Sequence, residues 1–310
     1  MPLSPVSVGR SAGLSDTGRK RRQNEDAYVC EPPLFAIADG MGGAQAGEVA
    51  SRLAAAAFEE GAAAIRGEEG VATVVRAANT RIFERAVHDP AVAGMGTTAT
   101  VAVVDGAAAT VTFAHVGDSR AYLYRNGVLE QLTTDHSLVG ELVRSGRLTE
   151  AEAAVHPHRS VITRALGTEA DVEVDTRTVD LRPGDLVLLC SDGLSAMVGD
   201  EEIVRLLEET QADPHDAAEA LVAAANRAGG EDNVTVVLFE LAEGAPVARP
   251  APPASDGRET TAETVTTTTA ANGDDVSRHG PGKGSRWPAL LLLVALLAIL
   301  AFLVWWSFVR

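Results

Sequence analysis

The sequence predicts an α+β fold: a mainly antiparallel sheet core with helices packed outside it. Short runs rich in Val, Thr, Leu and Ile recur along residues 1–242 and read as strands. Several are joined by hairpin turns such as Asp105-Gly106 and Asn126-Gly127. Long amphipathic helix candidates stand apart from those hairpin-linked strands, which favours layering of helices on sheet.

In chain order, the first strand is Leu34–Asp39, followed by helices over Gly47–Arg66 and Val71–Val87. Strands follow at Thr97–Val104, Ala109–Gly117 and Ala121–Tyr124. Two short helices come next, Leu138–Ser145 and Glu150–Val155, the second opened by a capping box of Thr149 and Glu152. Val172–Leu181 and Leu186–Cys190 read as strands, Asp200–Thr210 and Pro214–Ala228 as helices, and Asn233–Leu241 as the last strand. Asp213 caps the final helix, with Pro214 at its first position. No internal repeat is visible.

The 310 residues are 46% hydrophobic, enough for a sizeable core, and 22% charged. With 26 basic against 43 acidic residues the formal net charge is -17, which argues against a nucleic-acid partner. The acidity serves solubility, and it also permits clustered metal ligands. Two cysteines, Cys30 and Cys190, make neither a disulfide framework nor a zinc pattern and suit a reducing compartment. Six residues beyond them stand Ala36 and Ala196, not arginine, so the phosphate loop of cysteine-dependent phosphatases is absent. Met1–Gly18 has no apolar run, so no secretory signal is expected.

Residues 243–286 are rich in Ala, Pro, Thr, Gly and Asp and read as a flexible linker. From Pro288 to Val309 the chain runs 22 residues without a charge, against the roughly 20 that span a bilayer as a helix. Trp287, Trp305 and Trp306 sit at its ends, where indole favours the interface. Residues 287–310 are therefore expected to form a single transmembrane helix. Arg278, His279, Lys283 and Arg286 precede it, which places the globular part in the cytoplasm, at the cell membrane.

The chemistry lies in where the aspartates fall. Asp39 ends the run Leu34–Ala38 and is followed by Gly40; Asp192 follows Leu186–Ser191 and is followed by Gly193. Asp118 comes directly after Phe113–Gly117, and Asp232 directly before Asn233 and the last strand. A lone Asp-Gly is ordinarily a turn. Four carboxylates at the rims of rigid strands instead suggest a metal site. Oxygen donors without His or Cys partners favour Mg²⁺ or Mn²⁺ over Zn²⁺. Nearer the N-terminus, Arg21 offers a planar fork for phosphate, and Glu25 and Asp26 are placed to orient metal-bound water. Taken alone, Arg19–Arg22 is a basic run whose ordinary role is a solvated surface patch.

These residues carry a family resemblance. Ser15-Asp16-x-Gly18-x-x-Arg21-x-x-Asn24-Glu25-Asp26 is followed by Ala38-Asp39-Gly40-Met41-Gly42-Gly43 with Gly47-Glu48. Thr97-Thr98-Ala99, His115-Val116-Gly117-Asp118-Ser119-Arg120, Thr133-x-Asp135-His136-Ser137 and Ile162-Thr163-Arg164-Ala165-Leu166-Gly167 come next. Leu189-Cys190-Ser191-Asp192-Gly193-Leu194 and Asp232-Asn233-Val234-Thr235 complete the series. In this order, across residues 15–241, the chain resembles the metal-dependent protein serine/threonine phosphatases of the 2C type in their bacterial form.

The resemblance implies a central β-sandwich of two antiparallel sheets with helices on both faces, four layers in all. It implies two core Mn²⁺ or Mg²⁺ ions and room for a third. Asp39, Asp192 and Asp232 would hold the first ion; Asp39 would bridge to the second, with the Gly40 carbonyl; Asp118 would serve the third. Arg21 would bind substrate phosphate, and Glu25 and Asp26 would act through water. The implied reaction is hydrolysis of phosphoserine and phosphothreonine by in-line attack of a water bridging the ions, with residues 138–160 as a flap. Substrates would be phosphoproteins, a membrane serine/threonine kinase among them.

The chain departs from the family at two positions. Ala44 and Met41 stand where relatives carry histidine, so no motif histidine supplies the leaving-group proton. His136, His156 and His158 are the other candidates, each better suited to a structural hydrogen bond. Two alternatives of other classes are a phosphatase-like sensor with a broken metal shell and a two-metal nuclease. The intact aspartates and Arg21 oppose the first; the acidic balance opposes the second.

Overall fold

The structure, a computed structural model, describes residues 5–42 and 46–244. The expected linker beyond residue 244 and the expected membrane helix at 287–310 lie outside the described residues. Among the described residues no helix is long and apolar enough to cross a membrane.

Two antiparallel sheets form the centre. The first is ordered β1-β11-β10-β7-β8, from β1 (Val6–Asp16), β11 (Val234–Glu243), β10 (Leu186–Cys190), β7 (Arg120–Arg125) and β8 (Val128–Gln131). The second is ordered β2-β3-β5-β6-β9, from β2 (Asp26–Glu31), β3 (Leu34–Met41), β5 (Ala99–Asp105), β6 (Thr110–Val116) and β9 (Asp175–Asp180). A two-residue strand, β4 (Gly96–Thr97), pairs with the end of β3.

Side-chain alternation explains why the inner strands read as unbroken apolar runs. In β3, Phe35 and Ile37 enter the core between the sheets, whereas Leu34, Ala36 and Ala38 face the opposite way. In β10, Val187 and Leu189 point inward and Leu186, Leu188 and Cys190 outward. Each inner strand is thus buried on both faces. Phe35 of one sheet stacks on Phe239 of the other at 3.9 Å between ring centroids, joining the sheets at mid-strand.

The outward faces are covered by helices. α1 (Ala46–Gly61) and α2 (Gly67–His88) pack Phe58, Val75 and Ile82 on the second sheet. α5 (Asp192–Ser195), α6 (Asp200–Glu209) and α7 (Pro214–Ala228) pack Leu194, Ile203, Leu207 and Leu221 on the first. The result is the expected four-layer sandwich. α3 (Leu138–Arg144) and α4 (Glu150–Ala154) form an insert between β8 and β9, closed at its base by a bridge between Ser137 and Ile162. The capping box of Thr149 and Glu152 and the Asp213 cap are both present.

The structure corrects the element boundaries in places. β1, β2 and β8 are not among the expected strands; each is an edge strand, paired on one side only and partly exposed. The first helix ends at Gly61 rather than Arg66, because a short turn at Ala62–Ala64 and extended Ile65 separate it from α2. The strand expected at Val172–Leu181 is confined to Asp175–Asp180. β3 runs past Asp39 to Met41, because β4 pairs with Gly40 and Met41.

Candidate metal centre

The antiparallel registers bring the acidic residues to one end of the sandwich. Asp26 is paired directly with Asp39 across β2 and β3. β6 ends beside the start of β5, which places Asp118 next to the end of β3. In the other sheet β10 ends where β11 begins, so Asp192 and Asp232 are neighbours. Three carboxylates therefore come from one sheet and two from the other, meeting at the seam.

Threonines and serines hold the backbone beneath these groups. The Asp39 N–H donates to Thr98 Oγ1 at 3.0 Å, and the Asp39 carbonyl accepts from Thr98 N–H at 2.9 Å and Thr97 Oγ1 at 2.8 Å. Thr98 Oγ1 also meets Ser119 Oγ at 2.8 Å, tying the neighbour of Asp118 to the same anchor. Thr235 Oγ1 donates to Asp26 Oδ2 at 2.5 Å, and Thr235 N–H donates to Ser191 Oγ at 3.0 Å. The Thr-Thr-Ala and Asp-Asn-Val-Thr motifs are thus scaffolding for carboxylates on other strands.

Two glycines beside the aspartates are required by close backbone approach. A Cβ on Gly193 would lie 1.9 Å from the Asn233 carbonyl oxygen. A Cβ on Gly40 would lie 2.2 Å from the Gly47 carbonyl and 2.4 Å from that of Glu25. Asn233, to which the sequence alone assigns no role, is buried and clips both ends of the loop 17–25 to the start of β11. Its Oδ1 accepts from Glu25 N–H at 2.8 Å, and its Nδ2 donates to the carbonyls of Thr17 at 3.0 Å and Gln23 at 2.9 Å. Its place beside Asp232 is the one sequence signal of that task.

Electrostatically the cluster is costly. Burial, then repulsion from Asp26, Asp192, Asp118 and Asp232, pushes Asp39 well above the usual carboxylate range. Burial and neighbouring acids push Asp118 up to about 7. Asp26 is pushed up to about 6, chiefly by burial, against hydrogen bonds from Thr235 and Ser191. Asp192 is raised by burial and by Asp232.

Arg21 supplies the nearby positive charge. Its Nη2 lies 2.6 Å from Asp232 Oδ2, and its Nη1 lies 4.0 Å from Glu25 Oε2. Glu25 is raised by burial, which Arg21 opposes. Two buried carboxylate oxygens, Asp26 Oδ1 and Asp118 Oδ1, have no hydrogen-bond partner. Among the described residues no three acidic, His or Cys side chains already stand in the geometry of a closed metal shell. The donor set nevertheless fits hard divalent cations: it is all oxygen, its buried carboxylates repel one another, and two of its oxygens lack a partner.

The histidines are placed differently. His136 is buried, with Nδ1 accepting from Gly117 N–H at 3.0 Å and Nε2 against Asp175 Oδ2 at 3.2 Å, so it is committed to structure. His156 and His158 lie in the insert, beyond α4. Ala44 lies outside the described residues.

Known proteins share this sequence pattern and fold. A family model described as Protein phosphatase 2C matches residues 15–234. The chain belongs to the protein phosphatase 2C family. It is 42% identical over 238 residues to the serine/threonine phosphatase stp of Listeria monocytogenes, covering 73% of this chain and 93% of that protein. The crystal structure of the Mycobacterium tuberculosis serine/threonine phosphatase PstP/Ppp is similar with a TM-score of 0.72 and 42% identity, covering 76% of this chain and all (100%) of that one. The catalytic domain of PstP in complex with two manganese ions is similar with a TM-score of 0.70 and 40% identity, covering 76% of this chain and 99% of that one.

The raised carboxylates fix a sign for pH dependence. Folded Asp26 and Asp118 keep protons that the unfolded chain loses at its ordinary, lower pKa, so stability falls as pH rises through the window up to about 6 to 7. In chelator the protein is expected to melt at a lower temperature at about pH 7.5 than at about pH 5.5, and Mn²⁺ is expected to raise the melting temperature more at the higher pH. Thermal denaturation with and without Mn²⁺ checks this. A melting temperature in chelator that climbs between those pH values would contradict it.

Proposed function

We propose that this protein is a serine/threonine phosphatase that hydrolyses phosphoserine and phosphothreonine in proteins with two divalent ions, Mn²⁺ or Mg²⁺. The observation that carries the reading is the meeting of Asp39, Asp192, Asp232, Asp118 and Asp26 at the sandwich seam with Arg21 at their edge. Asp39, Asp192 and Asp232 would hold the first ion, Asp39 and the Gly40 carbonyl would serve the second, and Asp118 with Asp192 would serve a third. When bound, such ions acidify water and neutralise charge on a phosphoryl group.

The chain's own residues do the rest. Arg21 presents guanidinium hydrogens to two phosphate oxygens and fixes the phosphorus relative to the carboxylates. Its ion pair with Asp232 holds it facing the cluster. Glu25 and Asp26 accept hydrogen bonds from water at the cluster's edge and orient it. A phosphatase-like sensor would need a broken donor set, and here every donor is present. A nuclease would need a basic groove, which a chain of net charge -17 opposes.

The domain borders belong to the same proposal: a catalytic domain over 1–242, a linker over 243–286 and a membrane helix over 287–310. β11 extends the folded domain slightly beyond that border, to Glu243. Anchoring at the cytoplasmic face of the cell membrane concentrates the enzyme near membrane-bound phosphoproteins, a serine/threonine kinase among them.

Asp192→Asn is expected to cut kcat on a phosphothreonine peptide by more than about 100-fold with the fold intact, as loss of a charge-stabilising group does. Arg21→Ala is expected to raise KM by about tenfold or more, the worth of a charged hydrogen bond. Steady-state kinetics with Mn²⁺, alongside circular dichroism, checks both; full activity in Asp192→Asn, or DNA cleavage in place of phosphopeptide hydrolysis, would overturn the assignment. The full-length protein is expected in the membrane fraction and, on deletion of residues 287–310, in the soluble fraction with unchanged specific activity. Its recovery in the soluble fraction without detergent would exclude the anchor.

A further inference from the structure

The run Arg19-Lys20-Arg21-Arg22 is not accounted for by a single phosphate-binding arginine. Nowhere else in the sequence do two lysines or arginines stand side by side, although the chain carries 26 of them. The net charge is -17, so this run is an island of opposite sign. Arg21 is paired with Asp232 and Glu25. Among the described residues, Arg19, Lys20 and Arg22 are exposed and have no ion-pair partner within 4.0 Å.

The loop that carries them is pinned. Asn233 Nδ2 bonds the Thr17 carbonyl at 3.0 Å and the Gln23 carbonyl at 2.9 Å, clipping the loop at both ends. The Arg19 and Lys20 N–H groups both donate to the Gly230 carbonyl, at 2.7 and 3.2 Å. The cations are thus held beside Asp232 rather than on a free tail. Arg22 lines the same depression of about 600 Å³ as Arg21, Gln23, Glu25 and Gly42.

We infer that Arg22, supported by Lys20 and Arg19, forms a second anion subsite for a phosphate or carboxylate close in sequence to the scissile phosphoresidue of a phosphopeptide. The inference rests on the phosphatase reading of the carboxylate cluster and adds a substrate class to it. Arg21 and Arg22 line one depression, so both cations are offered to one short stretch of peptide. An extended peptide advances about 3.3 Å per residue, so an anion two or three residues from the reacting phosphate falls within the same depression. A membrane surface is the weaker occupant. Arg22 lines a depression, which a flat bilayer does not enter, and the acidic chain repels anionic lipid.

The test uses the full-length protein with Mn²⁺ and three phosphothreonine peptides that differ at one flanking position: Gln, Glu or a second phosphothreonine. p-Nitrophenyl phosphate is the small control substrate. The wild-type protein is expected to favour an anion-flanked peptide over the Gln peptide in kcat/KM by about three- to fivefold, as an exposed ion pair gives, and more steeply at low salt. The Glu and phosphothreonine arms separate carboxylate from phosphate recognition. Lys20→Gln/Arg22→Gln is expected to erase the preference while rates on the Gln peptide and on p-nitrophenyl phosphate stay within about twofold. A preference that survives the double substitution, or an equal loss on all four substrates, overturns the inference alone. So does a preference absent from the wild type, or a double variant whose one defect is weaker binding to phosphatidylserine vesicles. A wild-type protein inactive on every substrate overturns the phosphatase reading as well.

Discussion

Everything about this molecule depends on holding five carboxylates close together where they repel one another. Asp26 and Asp39 face each other across one strand pair, Asp192 just past β10 and Asp232 just before β11 meet where those two strands adjoin, and Asp118 joins them beyond the end of β6. Burial and mutual repulsion oppose ionisation of this group, most strongly at Asp39. A cluster of this kind persists only where a stiff framework fixes the backbone beneath it and cations answer its charge.

The sandwich is that framework. Its inner strands are apolar on both faces, so neither sheet can slide without exposing one core or the other. Phe35 on Phe239 locks the sheets together. At the seam the framework turns polar, and Thr98, Ser119, Ser191, Asn233 and Thr235 carry the load through hydrogen bonds to backbone and carboxylate. Arg21 rides on a loop clipped by Asn233, so the residue that positions Asp232's neighbourhood also positions the arginine proposed to bind phosphate.

Much of this is legible in the sequence, for identifiable reasons. Inner strands such as Leu34–Asp39 and Leu186–Cys190 announce themselves because both faces are buried and nearly every residue is apolar. β1, with Gly9, Arg10 and Ser11 in its middle, and β8, with Glu130 and Gln131, are edge strands whose outer sides meet solvent. Their composition follows solvent exposure more than strand pairing, which hides them from a reading of apolar runs. The aspartates are readable because each adjoins an apolar run. That Asp26 sits opposite Asp39 is not, since register is a property of the pairing and is not written in either strand alone. The roles of Thr98, Thr235 and Asn233 are hidden for the same reason: their partners are distant in sequence.

The most direct test of the central claim is calorimetric titration of Mn²⁺ into the full-length protein and into Asp39→Asn. The account predicts at least two ions per chain in the wild type, and loss of both core ions in the variant, because Asp39 is shared between them. Absence of Mn²⁺ binding by the wild type, or undiminished stoichiometry and affinity in Asp39→Asn, would contradict it.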